Sequence, residues 1–423
     1  MPPQIIRPLL IVSVAIVLTA CATVAPKTQP NLTQSPRVRA LLESPKVLAA
    51  FADIDSRREQ TIQEWRDLTE INAPSGQETA RASAVETTLR GLRLDSVSRD
   101  SVGNLIALRK GSGGGPRVVI DSHLDTVFQP GLEIKTTIKD GRLYAPGVGD
   151  DTRNIAAMLS MLRAMNAADI RTKGDLVFLF TVEEETSFRG IDQYLADNKG
   201  TIDHLIALDG GYEGFTYGGI GTNWYKHHFI GPGGHTRSST PPWSATLPVA
   251  RSILRISKLK VPDSPPSWLN VGMLGGSDVV NAKAADAWFS LDLRSTDNEV
   301  ILDLERKIAA ILNDEAQKSG MTLKTEVISS EKPAQIAGHR QSLLVHTTEA
   351  VYDALGFIDP SITPTASNHS SAALRAGISA IATGTAPCRG AHSVTENCEI
   401  EPIFKGIRKI LLLSIAMTGV DGL

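Results

Sequence analysis

The chain has 423 residues, beyond the size one hydrophobic core usually serves, so two domains are the default expectation. Its composition, 42% hydrophobic and 21% charged, is that of a globular protein rather than a disordered or fibrous one. The formal net charge is −3 and no Lys/Arg-rich stripe is present, so nucleic-acid binding is set aside.

The beginning of the chain reads as an export signal. Residues 1–7 carry one positive charge, and residues 8–18 form an apolar run too short to span a membrane stably. The run ends in Leu18-Thr19-Ala20-Cys21, which resembles the lipobox of bacterial lipoproteins. That resemblance implies removal of the residues before Cys21 and lipidation of Cys21, hence membrane contact through a lipid anchor. An ordinary secretory signal cleaved at small residues is the alternative. Ala22, not Asp, follows the cysteine, which in the resembling Gram-negative proteins permits outer-membrane sorting, so a periplasm-facing lipoprotein is expected. Residues 22–45 are assigned as a flexible tether, rich in Thr, Pro, Gln and Ser up to about Pro36. Export leaves Cys388 and Cys398 in an oxidising compartment, where a disulfide between them is plausible and two free buried thiols are the alternative.

Beyond the tether, segments 56–71 and 78–92 have helical apolar spacing. Segments 104–108 and 118–121 read as strands, with GSGGG between them as a hairpin signal. A helix over 152–165, an apolar strand over 176–182, a helix over 190–196 and a buried strand over 205–208 follow. This alternation predicts an α/β fold, a mixed, mostly parallel sheet with helices on both faces. After about Gly214 the character changes. Segment 217–230 is rich in glycine and aromatics, 247–259 is helical, 288–294 alternates like a half-exposed strand, 299–319 is a long amphipathic helix and 322–328 a strand. That order suits a small two-layer α+β domain inserted at 215–330. The larger domain then comprises 46–214 and 331–423, the second part with helices over 343–355 and 403–417 and a strand over 378–382.

Chemistry-bearing residues gather where strands should end. In RVVIDSHLDTV, His123 and Asp125 stand two apart and so on one side of extended chain. An imidazole beside a carboxylate suits a metal ligand with its orienting partner, or simply a capped strand end. YAPGVGDD offers Asp150 and Asp151 just before a helix, where capping alone would also favour them. Thr181-Val-Glu183-Glu184-Glu185 sets three carboxylates after an apolar strand, and their repulsion must be offset by cations or water. Asp209 ends IALD, and His392 lies in the loop GAHSVTE. The carboxyl edge of an open α/β sheet is where ligands bind. Two histidines, a shared aspartate and two further carboxylates would give each of two divalent ions three protein ligands, the catalytic arrangement. Neither GxSxG nor a P-loop is present.

HLDTV, APGVGDD, FTVEEE, LD and GAHS, in that order, resemble the di-zinc exopeptidase family of aminoacylase, peptidase T, the glutamate carboxypeptidases, acetylornithine deacetylase and succinyl-diaminopimelate desuccinylase. The likeness runs from about Ser56 to the C-terminus. It implies two Zn2+ ions, with Co2+ or Mn2+ as substitutes. His123 and Asp209 would hold one ion, Glu185 and His392 the other, and Asp150 would bridge them, its peptide with Asp151 cis. Asp125 would orient His123, and Glu184 would be the general base. Glu183 takes the family's usual Asp position and is not a ligand. His235 in GGHT and Asn281 after GGSDVV match family residues that reach the active site, the histidine often from a second subunit; a surface histidine is the alternative. This implies a homodimer through the inserted domain. Arg294 in LDLR matches a substrate-carboxylate arginine, with a structural ion pair as the alternative. Lys332-Pro333 stands where the glutamate carboxypeptidases carry Arg-Pro, and Thr152-Arg153 where the family has Lys-Gly. Ser367-Asn368 replaces Ser/Thr-Asp, and His369 after it reads as local capping, with cleft lining as the alternative. Asp rather than Glu at 209 goes more often with aminopeptidases and tripeptidases in the family. The resemblance therefore implies hydrolysis of short peptides by an exopeptidase. The alternatives are an N-acyl amino acid deacylase or carboxypeptidase of the same family and a catalytically silent binding lipoprotein. The intact base and metal positions argue against the last.

Overall fold

Strands Val118–His123 and Leu176–Thr181 are buried along their whole length, so each needs a neighbour on both sides and a helical layer on both faces. They obtain both in an eight-stranded sheet. In the computed structural model, which describes residues 35–239, 243–277 and 279–422, its order is Ser96–Arg99, Leu105–Arg109, Leu176–Thr181, Val118–His123, His204–Ala207, Ser379–Ala382, Gly214–Thr216, Ser361–Thr363. Cys21 and the rest of the expected export signal lie outside the described residues. The central strands run parallel, and Leu105–Arg109 is antiparallel to Leu176–Thr181. Val118 and Ile120 point into a core shared with helices Arg153–Ala167 and Pro402–Thr418. Val119, Val177 and Leu179 point to the other face, beneath helices Arg189–Asp197 and His369–Arg375.

Two expectations change here. GSGGG does not close a hairpin, because Leu176–Thr181 inserts between the two strands it joins. Its outer glycines serve close approach instead: a Cβ on Gly111 would sit 2.3 Å from the Lys173 carbonyl oxygen, and one on Gly115 2.3 Å from the Gly174 nitrogen. The tether also ends earlier than residue 45. Ser35–Leu42 is a helix that buries Val38 and Leu41 against helices Leu343–Ala354 and Pro402–Thr418. Polar composition hid those two apolar anchors.

The inserted domain has its own core. Its antiparallel sheet runs Ser267–Asn270, Asp286–Ser295, Gly221–Ile230, Thr322–Glu331, with Leu274–Gly276 also beside Asp286–Ser295. Asp286–Ser295 alternates strictly, burying Phe289, Leu291 and Leu293 against helices Thr246–Ile256 and Asn298–Ser319. Among the described residues, no helix is long and apolar enough to cross a membrane.

Candidate metal centre and active site

His123 is the last residue of its strand and is buried. Its Nδ1 lies 3.3 Å from Asp125 Oδ1 and 3.1 Å from the Asp125 carbonyl oxygen, and its Nε2 lies 3.0 Å from Asp150 Oδ1. Asp125 is wholly buried and serves several masters at once. Its Oδ1 accepts the Glu184 N–H at 3.0 Å, and its Oδ2 accepts the Glu185 N–H at 3.1 Å and the Ser75 hydroxyl at 2.6 Å. One carboxylate thus orients the imidazole and both glutamates. Burial pushes its pKa up, but His123, Ser75 and the Glu184 N–H together hold it at about 2.

Asp150 sits on a tight turn ahead of helix Arg153–Ala167, and its peptide with Asp151 is cis. The two carboxylates part company there. Asp150 faces His123 and His392, whereas Asp151 turns inward to the Ser122 hydroxyl, the Asn154 amide and, at 3.2 Å, the His123 N–H. The turn is braced from the far end of the chain. Glu396 accepts the N–H groups of Gly147 and Gly149 at 2.8 Å each and of Asp150 at 2.9 Å. Cys388 and Cys398 face each other in a ladder and are disulfide-bonded. The bridge packs on Gly149, where a Cβ would meet Cys398 Sγ at 2.8 Å. His392 stands in the loop that this disulfide closes, its Nε2 3.2 Å from both Asp150 Oδ2 and Glu185 Oε2. The hydrogen bond to Asp150, with Glu185 adding, raises its pKa to about 9.

The ligand atoms of His123, Asp150 and Glu185 lie within 4.8 Å of one another. Asp209 lines a cavity of about 770 Å³ together with Asp150. Burial raises the carboxyl pKa of Glu184 well above its ordinary value, with Asp209 and Glu185 adding repulsion. Burial likewise raises Glu185 to about 7, and burial and Asp150 raise Asp209. Such a concentration of mutually repelling carboxylates is relieved by a cation. Glu185 Oε1 gives a second sign, being buried with no hydrogen-bond partner among the described residues. Imidazole and carboxylate donors fit Zn2+ and its first-row neighbours.

A profile of Peptidase family M20/M25/M40 matches residues 119–414. The chain belongs to this family. Carboxypeptidase G2 of a Pseudomonas species is 24% identical over 310 residues, 70% of this chain and 74% of that one. The fold is shared with a tripeptidase from Staphylococcus aureus subsp. aureus mu50, at TM-score 0.75 and 22% identity over 84% of this chain and 97% of that one. Aminopeptidase PepT of Bacillus cereus gives TM-score 0.73 and 21% identity over 85% and 98%. As an M20 member the protein is a metal-dependent hydrolase, a metallopeptidase.

Other residues singled out in this M20 chain stand apart from the centre. Glu183 turns away to pair with Arg189. His235 and Asn281 are both exposed in the inserted domain, joined by the Thr236 N–H donating to the Asn281 carbonyl at 3.1 Å. Arg294 is occupied by Asp292 at 3.0 Å beside the Trp224 ring, the ion-pair arrangement. Lys332 is exposed at the end of strand Thr322–Glu331. His369 neither caps its helix nor lines the cavity: the Asn368 side chain caps, and His369 is buried with Nδ1 2.7 Å from Asp121 Oδ2. A buried carboxylate beneath the helix start outcompetes the local capping role. Glu396 and Arg153 also belong to the site, with no role signalled by the sequence. The partners of these two are backbone groups brought in by the fold, for which no spacing signals.

Proposed function

We propose that the protein is a di-zinc exopeptidase of short peptides, taking a free N-terminus, and that it is held at a periplasmic membrane face by lipid on Cys21. The observation that carries the reading is the convergence of His123, Asp150 and Glu185 beside the buried Glu184. His123 and Asp209 would hold one ion, Glu185 and His392 the other, and Asp150 both. Bound there, the ions supply Lewis acidity, which polarises a carbonyl and makes a nearby water more acidic. Glu184 accepts the proton of the attacking water and hands it to the leaving nitrogen, a task suited by its raised pKa. Asp125 keeps His123, Glu184 and Glu185 in register through that exchange. His235 and Asn281, adjacent and exposed, would reach the developing oxyanion from a second copy of the chain. The lipobox-like Leu18-Thr19-Ala20-Cys21 and the Cys388–Cys398 disulfide support an exported protein.

The same centre also suits N-acyl amino acid deacylation, so the test is a substrate screen. Protein lacking the residues before Gln29, with metal content measured, is offered dipeptides, tripeptides, N-blocked peptides and N-acetyl amino acids. Turnover of unblocked peptides, with two zinc or cobalt ions per chain, is the expected result. Turnover of blocked substrates alone would replace the exopeptidase with a deacylase, and metal content near zero in folded protein would remove the centre.

A further inference from the structure

Beside Asp150 and Asp209, the cavity is walled by the larger domain, and its volume of about 770 Å³ is sufficient for a peptide's residues next to the scissile bond. Most charges on its wall are already answered. Glu396 holds three backbone N–H groups, and Glu399 accepts Arg142 at 2.7 Å. Arg153 gives its two Nη groups to the carbonyls of Ala386 and Gly210, at 3.1 and 2.5 Å. Glu213 is exposed where the cavity meets a second groove lined by Arg58, Lys405 and Arg408. Arg389 differs from all of these. It is exposed, lines the cavity, and its guanidinium has neither hydrogen bond nor ion pair among the described residues.

The backbone of Arg389 is nevertheless firmly held. It follows disulfide-bonded Cys388, pairs with Asn397 in the ladder, and precedes Gly390, whose φ of +72° turns the chain towards His392. A free planar fork on an anchored backbone at the edge of a substrate cavity is suited to a carboxylate. We propose that Arg389 is a specificity-determining residue that selects peptides with an acidic side chain next to the scissile bond. This rests on the peptidase reading above and adds the substrate's charge to it.

The test compares isosteres that differ only in charge, Glu-Leu with Gln-Leu and Leu-Glu with Leu-Gln, on the metal-loaded enzyme. The inference expects about a tenfold higher kcat/KM for the acid in at least one pair, carried by KM, the size of one charge-assisted hydrogen bond. The pair that discriminates identifies the side of the bond that the cavity serves. Arg389→Gln should bring that ratio to about one, and Arg389→Lys should restore part of it, with melting temperatures confirming that both variants fold. Ratios near one for both pairs in the native enzyme, or a ratio that survives Arg389→Gln, would overturn it. Should no peptide turn over, the exopeptidase reading fails separately. Calorimetric binding of the same four peptides then decides: tighter binding of an acid, lost in Arg389→Gln, supports the inference, and equal binding refutes it.

Discussion

At the carboxyl edge of the larger sheet, polar side chains are held by several partners each, as Asp125 is by His123, Ser75, Glu184 and Glu185. On the inserted domain, His235 stands exposed in a two-residue ladder and Asn281 just before its partner strand, and His235 Nδ1 merely accepts the Arg237 N–H at 3.2 Å. The first arrangement fixes geometry before substrate arrives, which is what catalytic electrostatics require. The second fixes little by itself, with both side chains open to solvent. On the function proposed above, chemistry belongs to the larger domain and its completion to the smaller.

The sharpest way to test that division is Glu184→Gln. It should lower kcat on a dipeptide by about 10³-fold while metal content, read by elemental analysis, stays unchanged. Turnover near the native level would move the proton transfer elsewhere. The next effect concerns the inserted domain. His227 is buried, and burial, with His228 adding, pushes its pKa down to about 4. An imidazole with a folded pKa below its unfolded value near 6.5 opposes protonation. Stability should therefore be full above about pH 6.5 and fall as pH drops towards 4, by on the order of 3 kcal/mol. Trp224, Trp243, Trp268 and Trp288 lie in the inserted domain and only Trp65 outside it, so tryptophan emission during urea unfolding reads this change. His227→Phe should flatten the fall. An unchanged slope would assign the acid sensitivity to the larger domain, where burial also pushes His204 and His339 down.

Replacing Cys388 and Cys398 together by Ser should cost about 2.5 kcal/mol of stability for a loop of this length. It should also speed metal loss to a chelator, because the loop carries His392; loss at the native rate would show that Glu396 alone positions that histidine. Asp125→Asn keeps the shape and removes the charge, and should weaken metal affinity by roughly tenfold. An unchanged affinity would mean that backbone contacts suffice to orient His123.

The centre was largely legible in the sequence because metal ligands must be imidazoles and carboxylates, and an open α/β sheet presents them at strand ends. His123, Asp150 and Glu185 follow that rule and converge. The features that differ from the sequence expectation depend on partners that no local pattern encodes. GSGGG carries hairpin chemistry, yet a strand from later in the chain takes the place between its flanks. Residues 35–42 look like linker until helices Leu343–Ala354 and Pro402–Thr418 supply something for Val38 and Leu41 to pack on. His369 looked like a cap because Asp121, its true partner, is 248 residues away.

The contact between Glu396 and the Asp150 N–H spans 246 residues. A chain made from its N-terminus carries His123, Asp150, Glu184 and Asp209 through synthesis of the whole inserted domain before His392 and its brace exist. Closing the centre therefore waits on residues that are made after the inserted domain. A chain cut short before Cys388 would retain four of the five family motifs yet lack His392 and the Glu396 brace, and with them the part of the cavity edge that carries Arg389.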